Sequence, residues 1–247
     1  MAEVTLLETR GLGRSFEALK AVDGVDFKLA EGEIRAIIGP NGAGKSTFVS
    51  LLSGRIPPSE GQVIFAGQDV SKLPAHKRVR LGIAYTFQIT NIYPSLTVLE
   101  NVEIAAQSRL KPQLFGGAGE AEIRAAAAEA AAAVGLGDRL ETVAGVLAYG
   151  HQRLLEVAMG LALKPRLLIL DEPTQGLSDS EIANFIEVVR RVNREATVLV
   201  IEHNMDVVLA LADRITVLER GRLLAEGTPA EITANAAVQA AYLGEPA

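Results

Sequence analysis

Ile34-Arg35-Ala36-Ile37-Ile38 runs directly into Gly39-Pro40-Asn41-Gly42-Ala43-Gly44-Lys45-Ser46-Thr47, and residues 46–53 continue with a helical pattern. A short apolar strand, a glycine-rich loop and a helix in that order form a phosphate-binding unit. The glycines let the backbone wrap an anion so that successive N–H groups point inward, and the helix adds the positive end of its dipole. Lys45 supplies a point charge to the β- and γ-phosphates of a nucleotide, and the Ser46 hydroxyl suits a magnesium ion. Glycine, four residues, then Gly-Lys-Ser is the Walker A spacing, which chance produces in roughly one chain in a hundred of this length. Here the strand before it and the helix after it are both present.

A second strand supports this reading. Leu167-Leu168-Ile169-Leu170-Asp171-Glu172 is an apolar run that ends in two carboxylates. In a parallel sheet, ligands sit at that end of a strand. Asp171 suits the magnesium shell, and Glu172 suits the task of orienting or deprotonating an attacking water.

Working outward, the amino-terminal part reads as strands at residues 4–7 and 24–29, with another at 62–66 after the break Pro57-Pro58-Ser59-Glu60-Gly61. Residues 96–163 read as helical, including the Ala-rich stretch 120–134, a strong helix former by propensity. Beyond it strand and helix alternate: 167–170, 179–193, 196–201 and 205–212, then a hairpin of 215–219 and 222–225 around Arg220-Gly221. The expected fold is α/β: a P-loop core with a mainly parallel sheet, an N-terminal antiparallel β part and an inserted α-helical lobe. Residues 1–247 form a single domain on this reading, with the lobe at about 96–163.

Composition excludes several classes. The 24 Lys and Arg against 30 Asp and Glu give a net charge of −6, the wrong sign for gripping a nucleic-acid backbone, so no nucleic-acid partner is expected. With no cysteine, disulfides, thiolate metal sites and a Cys nucleophile are excluded. Residues 1–10 carry acids and lack an apolar core, so they do not read as a signal peptide. Residues 81–99 contain no charge, yet Gln88, Asn91, Tyr93 and Pro94 deny them the apolarity of a membrane span.

Taken together, these motifs resemble the ATP-binding subunits of ABC transporters, and the resemblance covers essentially the whole chain. It implies ATP and Mg2+ as ligands. Gln88, in Tyr85-Thr86-Phe87-Gln88, resembles the Q-loop glutamine that reaches the metal and the water. His203, in Glu202-His203, resembles the switch histidine that contacts the γ-phosphate, and Phe16 resembles the aromatic that stacks on adenine. The signature departs from the usual Leu-Ser-Gly-Gly-Gln: here it is Leu147-Ala148-Tyr149-Gly150-His151. Ala148 lacks the serine hydroxyl and so one charge-assisted hydrogen bond, typically about 1.5–3 kcal/mol. Gly150 and the helix start are retained, so backbone N–H groups there can face a partner's phosphate. Ser178 stands where many members carry Asp.

Within the family, the segments around Arg80–Gln88, Leu96–Val102 and Ile201–Val208, the endings Glu226-Gly227-Thr228-Pro229 and Ala241-Tyr242-Leu243-Gly244, and the insertion at residues 114–119 are similar to importers of branched-chain amino acids and related amides. The resemblance implies a subunit on the cytoplasmic face of the inner membrane, bound to integral permease subunits and served indirectly by a periplasmic or extracellular solute-binding protein. It would dimerise head to tail, with itself or with a sister ATPase. Lipopolysaccharide-export ATPases share several of these segments, and a soluble ABC ATPase is the other alternative. Ile89, Ile92, Tyr93 and Leu96 suit either a docking patch for the permease or the core.

Overall fold

The computed structural model describes residues 4–86, 91–110 and 119–243. Phe87, Gln88, Ile89, residues 114–118 and Gly244 lie outside them. In chain order the elements are β1 (Thr5–Phe16), β2 (Leu19–Ala30), β3 (Ile34–Ile38), α1 (Lys45–Ser53), β4 (Glu60–Phe65), β5 (Gln68–Asp69), α2 (Ala75–Leu81) and β6 (Ile83–Tyr85). There follow α3 (Val98–Leu110), α4 (Glu120–Ala133), α5 (Tyr149–Ala162), β7 (Leu167–Asp171), α6 (Asp179–Val192), β8 (Thr197–Ile201) and α7 (Met205–Leu211). The chain closes with β9 (Arg214–Glu219), β10 (Arg222–Gly227), α8 (Pro229–Thr233) and α9 (Ala236–Leu243). It divides into two compact units, Met1–Arg78 with Thr197–Ala247, and Val79–Ala196.

In the first unit, β2, β1, β4 and β5 form an antiparallel sheet. The strand read at residues 4–7 runs on to Phe16. Gly11, at φ +53, and successive register shifts against β2 absorb the irregular stretch as bulges instead of ending the strand. β3 lies between β8 and β9, parallel to both, and β10 closes the hairpin on β9. All five β3 residues are buried, as a parallel strand covered on both faces requires. One of them is Arg35. Its charge is met by Glu33 and by Glu226 at 2.9 Å, its guanidinium also donates to the Thr216 hydroxyl, and it lies 5.2 Å from the Phe27 ring centre.

α1 buries Phe48, Val49, Leu51 and Leu52, and Phe48 meets Phe27 edge to face at 5.6 Å. Arg78 serves the far end of that helix. Its fully buried guanidinium donates to the Leu51 and Leu52 carbonyls at 2.6 and 2.8 Å, which satisfies acceptors the helix cannot use itself. Burial lowers its pKa to about 10, so it stays charged at neutral pH.

In the second unit, β6 and β7 pair in parallel. Only three residues long, β6 leaves no periodicity to read. Val98, Leu99, Val102 and Ala106 of α3, Ile123, Ala127 and Ala131 of α4, and Leu154, Leu155 and Ala158 of α5 make the helical core. Asn101, wholly buried, donates to the Tyr93 and Thr97 carbonyls and accepts the Tyr93 N–H, pinning the chain that leads into α3. α6 begins with a reciprocal cap between Ser178 and Glu181. Among the described residues no helix is long and apolar enough to cross a membrane.

Candidate functional site

Each unit carries part of the predicted set. In the first, β3 delivers the phosphate loop and α1 leaves it. Gly44 is the N-cap of α1 at φ +94, and a Cβ there would lie 2.3 Å from the Ala21 carbonyl oxygen of β2. At Gly39 a Cβ would lie 2.2 Å from the Leu218 oxygen of β9. Only glycine fits either place, so the close backbone approach that the motif implies is real here. No side chain caps α1 and its first turn holds no acid, which leaves its N–H groups for an external anion. Lys45 is buried, and its ammonium donates to the Gly39 and Pro40 carbonyls at 2.7 and 3.1 Å, folded over the loop. Ser46 is exposed, as are Asn41 and Gly42, while Ala43 is buried and Thr47 half-buried.

The same sheet edge receives His203. Ile37 is in register with Ile201, and the Glu202 N–H donates to the Ile37 carbonyl at 3.4 Å, so the ends of β3 and β8 lie side by side. Glu202 is wholly buried and accepts the backbone N–H groups of His203 and Asn204 at 2.9 and 3.2 Å. That carboxylate shapes the turn and leaves the His203 side chain 60% exposed. Phe16 closes the β1–β2 hairpin with its ring 44% exposed and the Arg14 guanidinium 4.7 Å from its centre. β2 then runs past the phosphate loop at Ala21.

In the second unit, Asp171 ends β7 buried and accepts a hydrogen bond from the Tyr85 hydroxyl of β6. The sequence reading missed this partner, because nothing in a three-residue strand announces that its last side chain faces a carboxylate. Glu172 follows at φ +46, a conformation that costs a non-glycine residue on the order of 1–2 kcal/mol. The described residues contain no group of three His, Asp or Glu that could cage a metal. A hydroxyl and a single carboxylate fit magnesium, which keeps much of its shell in water and substrate phosphate.

Ala148 is the N-cap of α5 and offers no side-chain acceptor, and Tyr149 is its first residue, 41% exposed. The Gly150 backbone, expected to face a phosphate, instead lies beside Glu181 of α6, whose Oε1 would be 2.4 Å from a Cβ at position 150, and it helps to lower that carboxyl's pKa. The sequence held a sign of this in Ser178-Asp179-Ser180-Glu181, the spacing of a reciprocal helix cap. The Tyr149 ring carries Arg153 5.3 Å from its centre. Arg153 pairs with Glu156 at 2.9 Å, both buried, and Glu156 accepts the Asn91 N–H at 2.7 Å. Burial outweighs those donors and raises the Glu156 pKa. Of the apolar group Ile89, Ile92, Tyr93 and Leu96, the three described residues are not buried, and Tyr93 is 51% exposed.

Residues 22–175 match the ABC transporter family model, and residues 222–247 match that of the branched-chain amino acid ATP-binding cassette transporter. The chain is 38% identical to the high-affinity branched-chain amino acid transport ATP-binding proteins BraF of Pseudomonas aeruginosa and LivG of Escherichia coli, over 97% of its own length and 98% of theirs. A nucleotide-free ATP-binding cassette of an ABC transporter superposes with a TM-score of 0.88 at 28% identity, covering 98% of this chain and all of that one. A dimeric bacterial ABC transporter cassette superposes at 0.79 with 25% identity, over 91% of this chain and 99% of that one.

Proposed function

The chain belongs to the ATP-binding subunits of ABC transporters, and from that premise we propose that it hydrolyses ATP to drive import of branched-chain or related amino acids and amides. That it is a nucleotide-binding ATPase follows from the family. The cargo class rests on full-length likeness to BraF and LivG and on the match over residues 222–247, which favours an importer over the lipopolysaccharide-export reading.

The observation that carries the reading is the phosphate loop, a glycine-only turn into an uncapped helix with Lys45 folded across it. In this reading residues 1–247 make one nucleotide-binding domain, with residues 96–163 its helical lobe. Residues 39–47 cradle the triphosphate, and Lys45 neutralises its β- and γ-oxygens. Phe16 stacks on adenine, and His203 bonds the γ-phosphate. Ser46, Asp171 and Gln88 hold Mg2+, which supplies charge neutralisation at the phosphates when bound. Glu172 orients a water and takes its proton as the water oxygen attacks the γ-phosphorus. The bond to the β–γ bridging oxygen breaks, and ADP and phosphate leave. A second ATP-binding subunit presents Ala148, Tyr149 and Gly150 to that γ-phosphate, so closure depends on ATP and reverses after hydrolysis. Permease subunits at the inner face of the cell membrane take up the motion, supplied from outside by a solute-binding protein.

Glu172→Gln tests this reading. It should bind ATP as the parent does, lose on the order of 10²–10⁴ in turnover, the contribution of a general base, and accumulate as an ATP-bound dimer in sedimentation. Turnover near that of the parent would remove Glu172 from the role.

A further inference from the structure

Ala148 and Ser178, two of the places where the chain departs from the family's pattern, are linked through one carboxylate. Ala148 caps α5 with no acceptor, so the first N–H groups of that helix are left without an intrahelical partner. Glu181, from α6, sets its carboxylate against this turn at Gly150, whose backbone helps to lower its pKa. It sits so closely over that glycine that a Cβ at position 150 would lie 2.4 Å from its Oε1. Its Oε2 is held from the other side by the Ser178 backbone N–H at 2.9 Å and the Ser178 hydroxyl at 2.7 Å. An aspartate at 178 could not donate that second bond and would set a like charge beside Glu181. Serine anchors the carboxylate where aspartate would repel it.

We propose that Glu181 is a resident anion at the signature, set against the Gly150 backbone that a partner's γ-phosphate must reach, so that closing the dimer requires displacing it. This rests on the sandwich reading above, in which the signature of one subunit meets the ATP of the other. The physical basis is competition. An amide N–H points at one strong acceptor at a time, and a carboxylate and a phosphate in the same place also repel. The resident carboxylate sets its charge beside the positive end of α5 in the open subunit, and it raises the ATP level at which two subunits close. A residue that merely shaped the signature would have the opposite effect, because its loss would weaken closure.

Glu181→Gln separates the two. Glutamine can still accept from Ser178 and keep the α6 cap, but it carries no charge. Made in the Glu172→Gln chain and followed by sedimentation across an ATP titration, it should lower the ATP concentration for half-maximal dimer by about three- to tenfold, since the like charges no longer meet on closure. Added salt should narrow the gap between the two chains. An unchanged or higher threshold would overturn the proposal while leaving the sandwich intact. If the Glu172→Gln chain itself gains no dimer with ATP, the sandwich fails and the proposal with it. The contact is also testable in the open subunit. The Gly150 amide resonance should titrate with a carboxyl group in acid, and the Glu181→Gln chain should lose that transition. A trace without it in the parent would overturn the proposal by itself.

Discussion

The helices α1 and α5 begin alike and are finished differently. Neither has a side-chain cap: Gly44 precedes one and Ala148 the other. At α1 the nearby charge is a cation, Lys45, whose ammonium bonds carbonyl oxygens and sets no anion at the helix start. At α5 the nearby charge is a carboxylate, Glu181, whose Oε1 sits against Gly150. The same device, the positive end of a helix, is thus an open seat in the first unit and a filled one in the second. On the reading proposed above, the loop takes up ATP as it stands, whereas the signature must first exchange one anion for another.

The hardest way to break the open seat is Lys45→Met, which keeps the apolar stem and deletes the charge. Turnover should fall on the order of 10²–10³, the usual loss when a preorganised charge-stabilising group is removed, and nucleotide titration should show weakened binding. The Gly150 amide should be untouched. Nucleotide affinity and turnover near those of the parent would mean that the helix terminus alone makes the seat.

The filled seat depends on what holds α5. Glu156→Ala would take the Glu156 carboxylate from the buried Arg153 and the acceptor from the Asn91 N–H. The expected loss in denaturant unfolding is about 3–5 kcal/mol, as for a broken buried pair. Replacing Arg153 and Glu156 together by Leu should recover most of that stability. If the single variant lost no more than a surface change does, the pair would not be what steadies the signature helix.

The two seats were unequally legible. For the first, the run Ile34–Ile38 directly before Gly39, apolar but for Arg35, is β3 with those same ends. The glycine spacing gave the loop, because its backbone conformation excludes other residues and so appears as residue identity. The strand ending in Asp171 was equally plain, because burial on both faces enforces an unbroken apolar run. What escaped was the meeting of side chains with groups far apart in sequence: Tyr85 with Asp171, Glu181 with the Gly150 backbone and Glu156 with the Asn91 N–H. Such contacts depend on which strands and helices become neighbours, and no local periodicity encodes that. The Ser178–Glu181 spacing disclosed a cap, but the cap's second task, on another helix, appears only in the packed chain.

The smallest expected change sharpens the comparison most. Ala148→Ser would give α5 a conventional N-cap, whose hydroxyl oxygen can accept from the Gly150 or His151 N–H. A cap of this kind is worth about 0.5–2 kcal/mol. It should raise the midpoint of thermal unfolding and leave Glu181 with less to do. Acid tests that division. The donors on Glu181, the Ser178 N–H and hydroxyl first and then Gly150, hold its pKa below the ordinary 4.5. A carboxyl lowered on folding adds stability that is present above 4.5 and is lost as pH falls through its folded value. With serine sharing the Gly150 N–H, the folded pKa should rise toward the ordinary one, so the acid loss should be shallower in Ala148→Ser than in the parent. In the same variant, Glu181→Gln should shift the dimer threshold less than it does alone, a coupling that a double-mutant cycle reads directly. Parallel acid slopes together with an additive cycle would mean that the serine does not reach that N–H. The start of α5 would then be held by Glu181 alone.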